Sequence, residues 1–401
     1  MIHRLEKLQT GTLDPFHFRV SESCKRARNL ALSNHRDVEN VHSSGVLSLD
    51  LDADGRYLLS GCSDGSIYIH DLFNFSGSPS FTADVEQIIE KNHKFAHKYS
   101  TECVQWYPQD SGLFVTGSMD KYLKVWDSNR MRPVESVKFE GRIFQVHMST
   151  NAASKCLVAV AGTESIVRLV DLTTGSCAHE LRGHESAVLT CRWSPREEFL
   201  LATGSCDGRI ILWDARAANT ALRVLDQNNG QVYYNNKFKL KSHDGGVNGL
   251  CFTENGQHLI SLGWDAKAKL WNMTTGRRET VDFNAVPSEK RKCVQFDVAG
   301  CWRDELVYIP SDGKVLVCEV QTGKLVKTLR GHYNEVNACK YNALHQELYS
   351  GANDRSILIW TPDLAQEMAY KDHVNVQRAN IGTSHARVEV TQDVWSSDED
   401  D

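Results

Sequence analysis

Along most of the chain, apolar and polar residues alternate in short runs, and clusters of Gly, Asp, Asn and Ser separate the runs. Successive side chains of a strand point to opposite faces, so this alternation predicts short, half-buried β-strands. Phe199-Leu200-Leu201-Ala202-Thr203-Gly204, followed after a tight turn by Arg209-Ile210-Ile211-Leu212-Trp213, is one such pair. The pattern breaks at both ends. Near the start, Ile2, Leu5 and Leu8 recur at every third position and Gly11 stops the run. Asp14-Pro15 then offer a cap and a first residue for a second helix bearing Phe16 and Val20. Residues 1–30 therefore read as a short helix-loop-helix arm with apolar faces, suited equally to packing on its own chain or to holding another protein. Residues 363–401 lack the alternation and close on an acidic run, which predicts a disordered tail.

A longer period overlies the short one. His97 to Trp126, His184 to Trp213, His243 to Trp271 and His332 to Trp360 share a skeleton in which His and Trp stand 28 or 29 positions apart. An Asp lies six residues before each Trp (Asp120, Asp207, Asp265, Asp354), and a hydroxyl residue lies four before that Asp (Thr116, Thr203, Ser261, Ser350). A fifth copy runs through His42, Ser60 and Asp64 but has His70 in the place of Trp. Two weaker copies span Gly141 to Leu172 and Lys290 to Val320, making seven. The last copy has three strands after His332. Arg36 to Val41 precedes His42 as Ala178 to Leu181 precedes His184, so Arg36–Val41 is expected to close the ring by pairing with the final copy.

These residues and spacings resemble the WD40 family, which implies an all-β fold: a seven-bladed WD40 β-propeller over residues 36–362, preceded by the short helix-loop-helix arm. In that family's blades the Trp indole donates to the Ser/Thr hydroxyl, which bonds the His, which bonds the Asp in the turn between the second and third strands. Because the His and Asp residues recur with the blade period, they read as structural rather than catalytic. No nucleophile motif, P-loop or zinc spacing lies outside the repeats, so neither an enzyme nor a cofactor is expected.

Charge and cysteine usage narrow the setting. A net charge of −6 offers no basic surplus for a phosphate backbone, so direct nucleic-acid binding is not the leading expectation. Lys25-Arg26-Ala27-Arg28 and Lys290-Arg291-Lys292 suit either nuclear import or ordinary solvated surface. The twelve cysteines form no C-x-x-C pair, and no signal peptide or bilayer-length apolar run is present. A reducing cytosol or nucleus is expected, where the triplets Asn74-Phe75-Ser76 and Asn272-Met273-Thr274 carry no glycan.

Two features exceed the repeat. One is the arm; the other is Trp213-Asp214-Ala215-Arg216, since the positions matching Arg216 in other copies hold Asn129, Thr274 and Asp363. Together they resemble the receptors of cullin-4 ubiquitin ligases, which grip the adaptor damaged-DNA-binding protein 1 through a Trp-Asp-x-Arg box and a helical arm. Gln9-Thr10-Gly11, Val104-Gln105-Trp106-Tyr107-Pro108, Val247-Asn248-Gly249-Leu250-Cys251-Phe252-Thr253, Gln346-Glu347-Leu348-Tyr349-Ser350-Gly351 and Trp395-Ser396-Ser397-Asp398-Glu399 narrow the resemblance to the Cockayne syndrome group A family. It implies a non-catalytic nuclear receptor in transcription-coupled nucleotide excision repair, with the Cockayne syndrome group B translocase and the RNA polymerase II elongation complex as further partners. It also implies adaptor contacts at Leu5, Leu8, Phe16, Phe18, Arg19, Asp214 and Arg216; Asn129 departs from a second box in blade two.

The opposite face, where the His loops and Asp turns emerge, is then expected to meet the substrate. Trp264 stands on a turn there, and Glu102, Met119, Asn248, Glu335, Asn337 and Asn353 are read as rim positions beside it. Ser396 and Ser397, before the terminal acids, are candidate phosphorylation sites or plain solubilising residues, and the connection Leu225 to Lys241 is a candidate contact loop. The competing reading is a scaffold in chromatin or RNA processing with no ligase link.

Overall fold

The structure, a computed structural model, describes residues 10–11, 14–73, 81–151, 156–216, 221–230, 240–283, 292–300 and 305–362. Seven four-stranded antiparallel sheets follow one another along the chain, the blades of a β-propeller, at residues 46–89, 101–138, 143–182, 188–224, 247–278, 297–330 and 336–362. Polarity sets the position of each strand in its blade. In the fourth, Val188–Trp193 and Leu200–Ser205 are almost wholly buried, whereas the outermost strand, Ala221–Val224, is exposed.

The core lies between blades as much as within them. Ala159, Val167 and Leu169 of the third blade pack with Cys191, Trp193, Leu201 and Trp213 of the fourth. Six of the seven inner strands carry a register shift beside their first residue, among them Val46/Ser48, Val188/Thr190 and Val336/Ala338. A bulge there increases the local twist and swings each inner strand toward the axis.

Ring closure departs from the expectation. Leu30–Leu32, not Arg36–Val41, completes the seventh blade, pairing antiparallel with Ile357–Pro362 so that Leu32 stands opposite Trp360. Arg36–Val38 instead pairs parallel with Phe81–Ala83 in a two-stranded ribbon packed on the first blade. The physical reason is burial. The closing strand must place an apolar side chain beside Leu348 and Trp360, and Leu30 does so with no exposed surface, where Arg36 would bring a guanidinium. Arg36 pairs instead with Glu347, donates to the Leu72 carbonyl at 3.3 Å and lies over the Phe81 ring. The propeller thus begins at residue 30 rather than 36.

Among the described residues one helix, α1 (Pro15–Arg28), precedes the closing strand. Asp14 caps it by accepting from the Phe16 amide at 3.4 Å. Its last turns are fixed to the propeller: Ala27 is buried with Leu30 and Tyr308, Gln346 donates to the Ser23 hydroxyl, and Arg28 pairs with Glu319.

Leu30→Ala is expected to lower unfolding free energy by about 2 to 5 kcal/mol, read as a reduced urea midpoint. A smaller loss than that of Val38→Ala would contradict closure through residue 30.

Candidate functional site

The upper face is built on four hydrogen-bond chains with nearly identical geometry. In the second blade Trp126 Nε1 donates to Thr116 Oγ1 at 2.8 Å, His97 Nε2 lies 2.7 Å from the same oxygen, and His97 Nδ1 lies 2.9 Å from Asp120 Oδ2. Trp213–Thr203–His184–Asp207, Trp271–Ser261–His243–Asp265 and Trp360–Ser350–His332–Asp354 repeat it with every contact between 2.7 and 3.1 Å. An indole N–H can only donate, so the hydroxyl hydrogen points to Nε2 and the imidazole is the neutral Nδ1–H form. Burial lowers the affinity of His97, His243 and His332 for a second proton, although the facing carboxylates act against it.

Each Asp also caps its turn, as Asp207 Oδ1 accepts from the Arg209 amide at 2.8 Å. That bond helps Lys121, Ala266 and Arg355 to hold left-handed φ of 73°, 54° and 70° just after their Asp. Burial would raise the carboxyls of Asp120, Asp207 and Asp354, but bonds from the His rings and turn amides outweigh it and hold them below the ordinary range.

The first blade departs from the pattern. His42 Nε2 lies 3.0 Å from Ser60 Oγ, but Asp64 turns to Ser43 and Ser66, and His70 stacks 5.3 Å from the His42 ring. Burial holds His42 down to about 3 and His70 to about 4.

The lower face carries the second feature. At the ends of third strands, Asp71, Asp127, Asp171, Asp214 and Asn272 each accept from the amide two residues on, the Asx turn that starts the chain back outward. Only after Asp214 is that second residue an Arg. Arg216 folds onto its own blade: Nε and Nη2 reach the two Asp214 oxygens at 2.9 and 2.6 Å, and the guanidinium lies 5.4 Å over the Phe199 ring. The fork expected to seek a carboxylate thus has one intramolecularly, which draws the Asp214 carboxyl down, while the Arg216 side chain stays 66% exposed. A related clasp was not anticipated: Arg56, from the turn after the first blade's inner strand, grips Asp71 at 3.2 and 2.8 Å and lies over Tyr57.

On the same face, α1 leaves Phe16 51% exposed and Arg19 exposed, with Phe18 half-buried. Leu5 and Leu8, the tail, and Ser396 and Ser397 fall outside the described residues, as does 231–239 of the Leu225–Lys241 connection. The base of that connection is tied down, Asn229 exchanging bonds of 2.7 and 3.0 Å with the Arg278 backbone.

The upper-face candidates separate. Trp264 stands on the second-to-third-strand turn, half-buried, with its ring so close over Gly246 that a Cβ there would sit 2.9 Å from it. Its buried Nε1 has no hydrogen-bond partner among the described residues. Met119 and Asn353 are half-buried and Glu335 is exposed. Asn248 is not a rim residue. It lies in the inner strand Val247–Phe252, fully buried, because the strand begins one residue earlier than a loop placement requires. Asn337 is likewise a blade-to-blade tie, its Nδ2 donating to the Val46 carbonyl and to Asn353 at 2.8 Å. Glu102 sits at the inner lip of the channel with Lys292, its carboxyl pushed up by burial and partly restored by Ser100 at 2.6 Å. Tyr333 and Tyr99, 99% and 65% exposed on this face, were not singled out, though each follows a chain His by one or two residues.

Seven blades and their indole-to-carboxylate chains define a WD40 β-propeller protein, a class whose fold typically serves as a non-catalytic scaffold. The family described as WD domain, G-beta repeat matches residues 36–71, 90–127, 175–214, 235–272 and 323–361. The chain is 33% identical to the WD repeat-containing protein ATCSA-1 of Arabidopsis thaliana over 90% of its own length and 95% of that protein's. It is 28% identical to Radiation-sensitive protein 28 of Saccharomyces cerevisiae over 61% of its length and 53% of the relative's. A Drosophila persimilis ribosome biogenesis protein WDR12 homolog shares 30% over 45% of this chain and 43% of its own. The chain belongs to the Cockayne syndrome group A family of WD-repeat proteins.

Stability should depend on pH through the first blade. An unfolded His titrates near 6.5, whereas His42 and His70 resist protonation down to about 3 and 4. Between those limits the unfolded chain binds more protons, so stability is full above about pH 7 and falls as pH drops from 6.5 toward 4, by about 1.4 kcal/mol per unit per group. Urea midpoints at pH 7 and 5 measure this, and His70→Phe should remove about one proton's share of the slope; an unchanged slope would exclude His70 as a contributor.

Proposed function

We propose that this protein is the substrate receptor of a cullin-4 ubiquitin ligase, working in the nucleus in transcription-coupled nucleotide excision repair. The observation that carries the reading is the Asp214–Arg216–Phe199 clasp, an exposed guanidinium fixed by its own carboxylate on the face where α1 presents Phe16 and Arg19. A pre-ordered Arg loses little side-chain freedom when a partner docks. Phe16 supplies an apolar anchor of the kind that concentrates binding energy. The named relatives support a role in DNA repair: one is a plant CSA protein, the other a yeast protein named for radiation sensitivity.

In this reading the lower face takes damaged-DNA-binding protein 1, and through it cullin-4. The upper face, with Trp264, Tyr333 and Tyr99, takes the Cockayne syndrome group B translocase and components of the RNA polymerase II elongation complex. The protein supplies no chemistry; it sets the distance between substrate and ligase.

Co-purification of the intact protein with the adaptor tests this. A chain lacking residues 1–20 and Arg216→Glu, both confirmed folded by melting, should lose adaptor binding at least tenfold, while Trp264→Ala should keep it and lose translocase binding. A folded, intact protein that fails to retain the adaptor would overturn the receptor reading.

A further inference from the structure

The fifth residue of six of the inner strands, counted from the upper end, and Asp297 at the start of the shorter sixth-blade strand line the lower chamber of the central channel. In blade order these are Asp50, Gln105, His147, Arg192, Cys251, Asp297 and Lys340. Where this residue can accept, it takes a backbone amide from the next blade: Asp50 from Trp106 at 2.8 Å, Gln105 Oε1 from Met148 at 2.7 Å, His147 Nδ1 from Trp193 at 3.1 Å and Asp297 from Tyr341 at 3.0 Å. Arg192 cannot accept, and its Nε donates to the Leu250 carbonyl at 3.2 Å.

The two cations of this ring stand in opposite circumstances. Lys340 lies between carboxylates, 3.1 Å from Asp50 and 3.9 Å from Asp297. Arg192 lies between His147 and Cys251, and among the described residues it makes no ion pair. Neither neighbour supplies a negative charge. The Trp193 amide, donating to Nδ1, fixes the His147 proton on Nε2, and burial beside Arg192 and Lys340 keeps the ring neutral. Burial likewise pushes the Cys251 thiol up to about 12. Gln105, whose Oε1 is occupied, keeps its amide N–H groups as donors.

A half-buried guanidinium without an ion pair is costly, and here it adjoins two further donors beside open compartments of about 220 and 250 Å³. Asp297 and Glu254 line the second compartment, which His147 and Arg192 share and Gln105 does not, and Asp297 acts on Arg192 from there without pairing with it; Asp50 is engaged by Lys340. We propose that the arc Gln105–His147–Arg192 binds a small oxyanion group, a phosphate or a carboxylate, entering through the lower mouth of the channel.

Isothermal titration of the full-length protein at pH 7 and constant ionic strength, with inorganic phosphate in one arm and N-acetylglutamate amide in the other, tests the site. Saturable binding is expected in at least one arm, and the tighter arm identifies the source as a free phosphate or an inserted acidic side chain. Arg192→Met should weaken it at least tenfold, Arg192→Lys less, and the exposed control Arg182→Met not at all. Melting gives an independent readout: the preferred anion should raise the melting temperature of the wild type but not of Arg192→Met, which without anion should melt no lower than the wild type. No saturable binding in either arm, or equal binding by Arg192→Met, would overturn the proposal.

Discussion

A propeller blade can bury its strands only if the turn at its rim is held against the loop that brings the chain in, and the Trp–hydroxyl–His–Asp chain is that hold. It ties residues from the incoming loop, the second strand, the turn and the third strand at distances of 2.7 to 3.1 Å. All but the carboxylate are deeply buried, so each member satisfies another's lone pair or proton, and losing one strands the rest at roughly 1 to 3 kcal/mol apiece. The left-handed residue after each Asp is tolerated because the same carboxylate grips the turn from two sides.

One consequence is an asymmetry between faces. The upper face owes its shape to buried polar chains, which fix the loops and leave Trp264, Tyr99 and Tyr333 on a rigid frame. The lower face is built on short Asx turns, and its individuality comes from the side chains placed around them: Arg216 in blade four, Arg56 reaching Asp71 in blade one, and the packed end of α1 beside blades six and seven. A surface built from single local variations on a repeated turn suits selective recognition, because each variation changes one contact without disturbing the sheet above it.

The channel follows the same economy. Its inner strands are laced blade to blade by side chains that accept amides, and where Arg192 interrupts the run the direction of the bond reverses. The reversal leaves a cation that makes no ion pair among the described residues, a local departure from the repeat and for that reason the place in the channel where a ligand is expected.

Sequence alone determined what is periodic or local: the number of blades, the composition of the four chains, the start of α1 at Asp14-Pro15 and the singular Arg after Asp214. These depend on spacing within some 30 residues, or on neighbours along the strand, and periodicity records both. Tertiary structure decided what depends on segments far apart in the chain. Leu30–Leu32 displaced Arg36–Val41 as the closing strand because a buried place beside Leu348 and Trp360 admits Leu and refuses Arg. Asn248 proved to be a buried strand residue and Asn337 an interior tie, neither a rim residue, since where a strand starts is set by its pairing and not by its polarity. The lack of an ion pair at Arg192 was equally illegible, because a charge is paired or not by the groups that face it across the channel, and alternation along one strand carries no record of the other six.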